Sequence, residues 1–322
     1  MIVDLPSTNT SVLNRKLVHL RESGGVLALG RVLTLVIVTN DGPGIEDAIA
    51  AANEASREHP CRIIVLARGV RKAAARLDAQ IRVGGDAGAS EVIVLRSYGP
   101  LAGDEPGASM VIPLLLPDTP VVTWWPGEAP QSPSKDPIGE LAQRRITDAF
   151  ATSNPARALE LRRSTHVPGD TDLSWTRITL WRALLAAALD NVPHEPVTSA
   201  RVVGEPVSPS ADLLAGWLTA RLSAPVKRIR SDAAPGISSV RLVRPSGPIE
   251  LVRPDGKIGT LTQPGQPERR VALHRRDTKD ILAEELRRLD PDEIYAGALQ
   301  GLSQITRGRS SAGSAAGAGR RR

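Results

Sequence analysis

Val32-Leu33-Thr34-Leu35-Val36-Ile37-Val38-Thr39, followed by Asn40-Asp41-Gly42-Pro43-Gly44, sets the fold of the amino-terminal half. The run is apolar or β-branched at consecutive positions, so both of its faces must be covered. That is the condition of a strand in a parallel sheet flanked by helices. The turn ends the strand, and residues 44–58 place Ile45, Ile49 and Ala52 at helical spacing, which predicts a crossover helix. A second apolar run at residues 62–67 completes a βαβ unit. Residues 91–96 and 121–124 read as further strands, residues 107–116 and 138–150 as helices, and residues 77–83 fit either. An α/β layer domain with a mostly parallel, Rossmann-like sheet is therefore expected over residues 1–168.

Beyond it the punctuation changes. Residues 173–190 predict the clearest helix, which Val192-Pro193-His194-Glu195-Pro196 stops. Residues 199–203 read as a strand and residues 211–222 as a helix. Residues 226–229, 239–243, 249–252, 257–261 and 270–274 read as short strands between Pro and Gly turns, with Pro254-Asp255-Gly256-Lys257 a strong turn signal. Such spacing predicts an antiparallel sheet, hence a smaller α+β domain over residues 169–303. Residues 277–289 are amphipathic, with Ile281, Leu282, Leu286 and Leu289 on one face. Residues 304–322, rich in Gly, Ala, Ser and Arg, cannot build a core and are expected to be disordered.

At 322 residues, with 41% hydrophobic and 24% charged residues, the chain has the proportions of two soluble globular domains. A net charge of +6 and a pI near 10.0 raise nucleic acid as a partner. Five arginines and no acid lie in residues 304–322, which leaves +1 for the remainder, and no nucleic-acid partner is expected of so neutral a body. The opening Met1-Ile2-Val3-Asp4-Leu5-Pro6 lacks the regions of a signal peptide, and no apolar run approaches the roughly 18 residues of a membrane helix. A cytoplasmic chain with no membrane partner is expected. Cys61, the single cysteine, sits in an apolar run and reads as a small buried hydrophobe; no intrachain disulfide can form.

The sequence contains no Gly-x-x-x-x-Gly-Lys, no Gly-x-Ser-x-Gly and no histidine pair at ligand spacing. His19, His59, His166, His194 and His274 are scattered, so catalytic residues, a metal and a cofactor all go unsupported. The turn Asp41-Gly42-Pro43-Gly44 joins a strand to a helix, where backbone amides can hold a phosphate. The third glycine of a dinucleotide fingerprint is missing, and Glu46 and Asp47 stand where the anion would approach. Gly84-Gly85-Asp86-Ala87-Gly88 precedes a strand and is a weaker signal still. An α/β enzyme or sensor for a nucleotide or sugar phosphate is the alternative this turn keeps open.

The densest segment is Gly169-Asp170-Thr171-Asp172-Leu173-Ser174-Trp175-Thr176-Arg177-Ile178-Thr179-Leu180-Trp181-Arg182. Asp170, Thr171 or Asp172 can cap the helix that follows. At about 100° per residue, Leu173, Ile178, Leu180, Trp181, Leu184, Leu185 and Leu189 cover one half-turn arc. Arg177 falls inside that arc and needs a carboxylate there, with Asp170 and Asp172 close in sequence. Trp175 falls outside it, beside Thr179 and Arg182. An exposed Trp beside Arg has the composition of an interface hot spot; packing on the second domain is the alternative. Trp124 and Trp125 end a strand, and they stand either in core and loop or at a binding crevice beyond the sheet.

This segment resembles the signature of the glucose-6-phosphate dehydrogenase assembly protein family, OpcA, of actinobacteria and cyanobacteria. The opening Ile2-Val3-Asp4-Leu5-Pro6, Gly30-Arg31-Val32-Leu33-Thr34-Leu35, Ala51-Ala52-Asn53-Glu54-Ala55-Ser56-Arg57-Glu58-His59-Pro60-Cys61-Arg62 and Trp124-Trp125-Pro126-Gly127 agree with it. The match runs to about Arg182 and is looser beyond. It implies a non-catalytic accessory protein that binds glucose-6-phosphate dehydrogenase and assembles or allosterically activates it in the oxidative pentose phosphate pathway. The expected partner-binding residues are Asp170, Asp172, Trp175, Arg177, Trp181, Arg182, Trp124 and Trp125, with Trp175 and Arg182 foremost. Leu180 replaces a proline of many relatives, which predicts a continuous helix. Cys61 alone supplies no dithiol of the kind associated with the cyanobacterial branch.

Overall fold

The run at residues 32–39 becomes a strand covered on both sides, and the first sheet grows outward from it. A computed structural model describes residues 1–23, 32–83, 91–232 and 234–309. Gly30, Arg31, the glycine cluster at 84–88 and the end of the arginine tail lie outside the described residues. The amino-terminal elements are β1 (Ile2–Leu5), α1 (Thr10–Ser23), β2 (Leu33–Asn40), α2 (Gly44–Ala55), β3 (Cys61–Arg68), β4 (Arg76–Arg82) and β5 (Glu91–Tyr98). After them come α3 (Asp104–Val111), β6 (Val121–Trp124), β7 (Arg144–Thr147), α4 (Pro155–Thr165), β8 (Asp170–Asp172) and α5 (Leu173–Thr176). The chain continues through α6 (Thr179–Leu189), β9 (Ser199–Gly204), α7 (Pro209–Arg221), β10 (Val226–Arg230), β11 (Ile237–Val243) and β12 (Ile249–Val252). It ends with β13 (Ile258–Thr262), β14 (Arg269–Ala272), α8 (Thr278–Arg287), α9 (Glu293–Gly301) and β15 (Thr306–Arg309).

The chain divides into two compact units. The first holds Met1–Thr176 with Arg276–Glu293, the second Arg177–Arg275 with Ile294–Arg322. In the first unit the described strands form an eight-stranded sheet of order β1-β4-β5-β3-β2-β6-β7-β8. The six strands from β5 to β8 in that order are parallel, and β4 and β1 continue antiparallel at one edge. From β2 the chain moves one way to β3 and β5, then returns to the other side of β2 for β6, β7 and β8. The order therefore reverses between β2 and β6. On one face Leu33, Leu35, Ile37 and Trp124 pack with Ile45 and Ile49 of α2 and with Ile281, Leu282 and Leu286 of α8. On the other face Val36, Val38, Ile64 and Trp125 pack with Leu13 and Leu17 of α1 and Val111 of α3. Cys61 is buried in the first of these clusters.

The second unit carries a seven-stranded sheet of order β14-β13-β12-β11-β9-β10-β15, antiparallel except where β10 pairs with β9 and β15. Helices α7 and α9 meet closely at Gly216, where a Cβ would come within 2.2 Å of the Ala298 carbonyl oxygen. Arg228 is fully buried; its Nε donates to Asp212 at 2.9 Å and its Nη1 to the Gly204 carbonyl at 3.1 Å. The α/β layer domain and the antiparallel-sheet domain of the sequence reading are both present.

Several elements depart from that reading. Residues 138–150, expected as a helix, form single 3-10 turns at Gly139–Leu141 and Ala149–Ala151 around β7. The strand was hidden because Arg144 and Arg145 look like surface residues, whereas both are buried against carboxylates. The continuous helix expected over residues 173–190 is two helices, with Arg177 and Ile178 in a turn between α5 and α6. Helix α8 packs in the first unit, on α2. Part of the expected disordered tail is a strand, since Thr306–Arg309 pairs in parallel with β10. Residues 77–83 settle as strand β4.

Candidate functional site

In open α/β sheets, ligands collect outside the carboxyl ends of the strands, where the strand order reverses. Here that position holds a cavity of about 380 Å³. It is lined by Thr39 and Asn40 at the end of β2, Arg68 at the end of β3, Asp104 opening α3, Trp125 and Asp136, with the loop after β6 closing one side. Nη1 of Arg68 donates to Asp104 at 2.6 Å, while its Nε and Nη2 are buried with no hydrogen-bond partner among the described residues. Asp136 accepts the amides of Ile138 (2.9 Å) and Gly139 (3.2 Å) on one carboxylate oxygen, and burial pushes its carboxyl up from the usual range. The turn Asp41 to Gly44 does not line this cavity. Asp41 is engaged with Arg96 and Tyr98, and Glu46 with Arg82 at 2.7 Å.

The segment beginning at Gly169 is held residue by residue. Gly169 has φ +92, and a Cβ there would meet the Gln143 carbonyl oxygen at 2.5 Å, so the position requires glycine. Asp170 takes Nε of Arg145 at 2.5 Å, and the same guanidinium donates to the carbonyls of Ala142 and Pro168. Asp172, fully buried, accepts from Thr147 Oγ1 (2.7 Å), the Ala149 amide (2.9 Å) and the Ser174 amide (2.9 Å). The last of these caps α5. Burial, and then the nearby Asp148 carboxylate, push the Asp172 carboxyl upward. Trp175 donates its indole N–H to Asp292 at 2.7 Å, and Thr176 donates its hydroxyl to Glu285.

Trp175, for which an exposed interface position and a packed one were both open, is only 1% exposed. The wheel could not choose between them because Asp292 reaches it from more than a hundred residues away in sequence. Asp170 pairs with Arg145, and Asp172 is taken up by Thr147 and backbone amides. Arg177 itself is half-buried in the turn before α6. Trp181 is buried, with the Arg253 guanidinium 5.3 Å from its ring centre, and half-buried Arg182 donates to Thr179 Oγ1 at 3.1 Å. Trp124 and Trp125 are both buried, in clusters on opposite faces of the sheet; Trp124 ends β6, while Trp125 begins the loop that follows it and also lines the cavity. Strands β6, β7 and β8 thus bring Trp124, Asp170 and Asp172 together at one end of the sheet, while Trp181 and Arg182 belong to the second unit. Sequence reasoning missed Arg68, Asp104 and Asp136, for which only the strand-ending position of Arg68 gave a signal. It missed Arg144 and Glu285, which had none.

Two family comparisons bear on this geometry. Residues 52–164 match the family described as the N-terminal domain of the glucose-6-phosphate dehydrogenase subunit. Residues 168–299 match the one described as its C-terminal domain. No curated protein matches the chain. Among the described residues, no helix is long and apolar enough to cross a membrane.

Proposed function

The chain belongs to the glucose-6-phosphate dehydrogenase assembly family, OpcA, and from that premise we propose that it is a non-catalytic accessory protein that binds this dehydrogenase and activates it allosterically. The observation that supports the reading most is that both domains of the family are matched, the second match opening on the signature segment. The pentose phosphate pathway and a cytoplasmic location follow from the partner.

The burial of the signature narrows the surface that a partner can touch. Asp170, Asp172, Trp124, Trp125, Trp175 and Trp181 are buried, and their work is to hold the fold. The reachable residues are the half-buried Arg177 and Arg182 and the outer side of α6, where Leu180, Ala183 and Ala187 are exposed. Arg182 is the one charged residue of α6, so its exposed side is apolar with a cation beside it, the composition of a protein contact.

Purified chain added to the host dehydrogenase should raise the rate of NADP reduction and comigrate with it on a sizing column. Leu180→Asp should abolish both effects and leave the melting temperature unchanged. If the rate is unaffected and no complex forms at micromolar concentration, the reading fails. If Leu180→Asp still activates, the contact lies elsewhere.

A further inference from the structure

We infer that the crevice at the strand reversal of the first unit binds a small hydroxylated anion. Arg68 and Arg71 would take its phosphate or carboxylate group, and Asn40 and the neighbouring carboxylates its hydroxyls.

Position and size come first. The cavity lies outside the carboxyl ends of β2, β3 and β6, and its 380 Å³ falls near the small end of ligand sites, about 300–1,000 Å³. That suits one small metabolite better than a dinucleotide. A pyrophosphate would also need the start of α2, and Glu46 and Asp47 occupy that first turn.

Arg68 supplies the anion chemistry. Its side chain is 17% exposed, and Asp104 fixes the guanidinium through Nη1 alone. The Nε and Nη2 hydrogens lie on the other edge of the guanidinium, the fork that matches two oxygens of a carboxylate or phosphate. Both nitrogens are buried and unpartnered among the described residues. Buried donors are costly to leave unmade, so an oxyanion arriving from the crevice gains more here than at a solvated arginine. Exposed Arg71 adds a second cation at the rim. Trp125, 1% exposed and lining the same cavity, also has an indole N–H with no acceptor among the described residues.

The remaining lining is suited to hydroxyls. Asn40, Thr39, Glu128 and Asp136 offer acceptors and one amide donor around the two arginines. Burial pushes the Asp136 carboxyl up from the usual carboxylate range. A purely apolar ligand would leave these groups unpaired.

The test is independent of the dehydrogenase, because it uses the purified full-length chain alone. Isothermal titration would be run with glucose 6-phosphate, gluconate, inorganic phosphate and glucose. Glucose 6-phosphate or gluconate should bind saturably at one site, more tightly than glucose and more tightly than phosphate. The first two arms distinguish a phosphate from a carboxylate as the anchoring group. Arg68→Lys keeps the charge but loses the fork, and with Arg71→Ala it should weaken binding at least about tenfold, while Glu46→Gln changes nothing. If Arg68→Lys does not fold, surface-exposed Arg71→Ala carries the comparison. The inference is overturned if no probe binds at millimolar concentration or if glucose binds as well as glucose 6-phosphate. It is equally overturned if phosphate alone binds as well, or if folded variants keep wild-type affinity.

Discussion

Glu285→Gln is the substitution that tests the packing of the first unit most sharply. Glu285 lies on α8 with 6% of its side chain exposed; one carboxylate oxygen meets Arg144 Nη2 at 2.5 Å and the other accepts the Thr176 hydroxyl. Arg144, 4% exposed, has one further bond to the Asp290 carbonyl at 2.7 Å, and its Nε is unpartnered among the described residues. An amide at position 285 preserves shape but not charge, so the guanidinium stays buried without its counterion. Removing one partner of a buried pair costs about 3–5 kcal/mol. In a unit of this size each kcal/mol moves the midpoint by about 2–4 °C, so a fall of about 6–20 °C is expected. Calorimetry would measure it. Because two units need not melt together, hydrogen exchange on α8 and β7 would assign the transition. The double variant Arg144→Met with Glu285→Leu removes both charges and should recover most of the loss, to within about 1–2 kcal/mol of wild type. A loss below about 1 kcal/mol in Glu285→Gln, or strict additivity in the double variant, would show that this pair does not hold α8 in place.

Other consequences are as direct. Gly169→Ala puts a side chain on a backbone at φ +92 facing the Gln143 carbonyl, and should cost about 1–3 kcal/mol in urea unfolding; a neutral result contradicts the close approach. Trp175→Phe strips the Asp292 carboxylate of its indole donor and should cost about 1.5–3 kcal/mol, read in the same assay. The Asp172 carboxyl is raised in the folded chain, so between its ordinary value of 3.8 and its folded value the unfolded chain binds fewer protons than the folded one. Wild-type stability should therefore fall relative to Asp172→Asn as pH rises above 3.8, and a relative gain there would reverse the assignment.

What the sequence made legible depended on whether a residue's partner was near it in the chain. Strands β2 and β3 were readable because covering both faces forces an unbroken apolar run, and that constraint is local. Strand β7 was not, because its two arginines, Arg144 and Arg145, are buried against carboxylates on α8 and β8, 141 and 25 residues further on. The wheel drawn from Leu173 assumed one continuous helix. The turn at Arg177 and Ile178 interrupts it, so Arg177 belongs to neither helix and no single wheel describes the segment. The crevice was invisible for a related reason: Arg68 ends an ordinary strand, and its meaning appears only once Asp104 and Trp125 stand beside it.

The same logic alters what a dense polar signature signifies. Aspartate, threonine, arginine and tryptophan crowded into one short segment suggest a contact surface when each is given a neutral backdrop. In the folded chain most of them are interior, and an interior polar group must be matched donor to acceptor or it destabilises the fold. Asp170 with Arg145, Asp172 with Thr147 and two amides, Trp175 with Asp292 and Thr176 with Glu285 meet that demand one by one. Each match fixes residue type and position more tightly than apolar packing does, since a shifted donor loses its bond while a shifted methyl group loses only part of its contact. A string so constrained identifies a family through its architecture. The surface that recognises the partner is then to be sought where no such matching binds the side chains, on the exposed apolar side of α6.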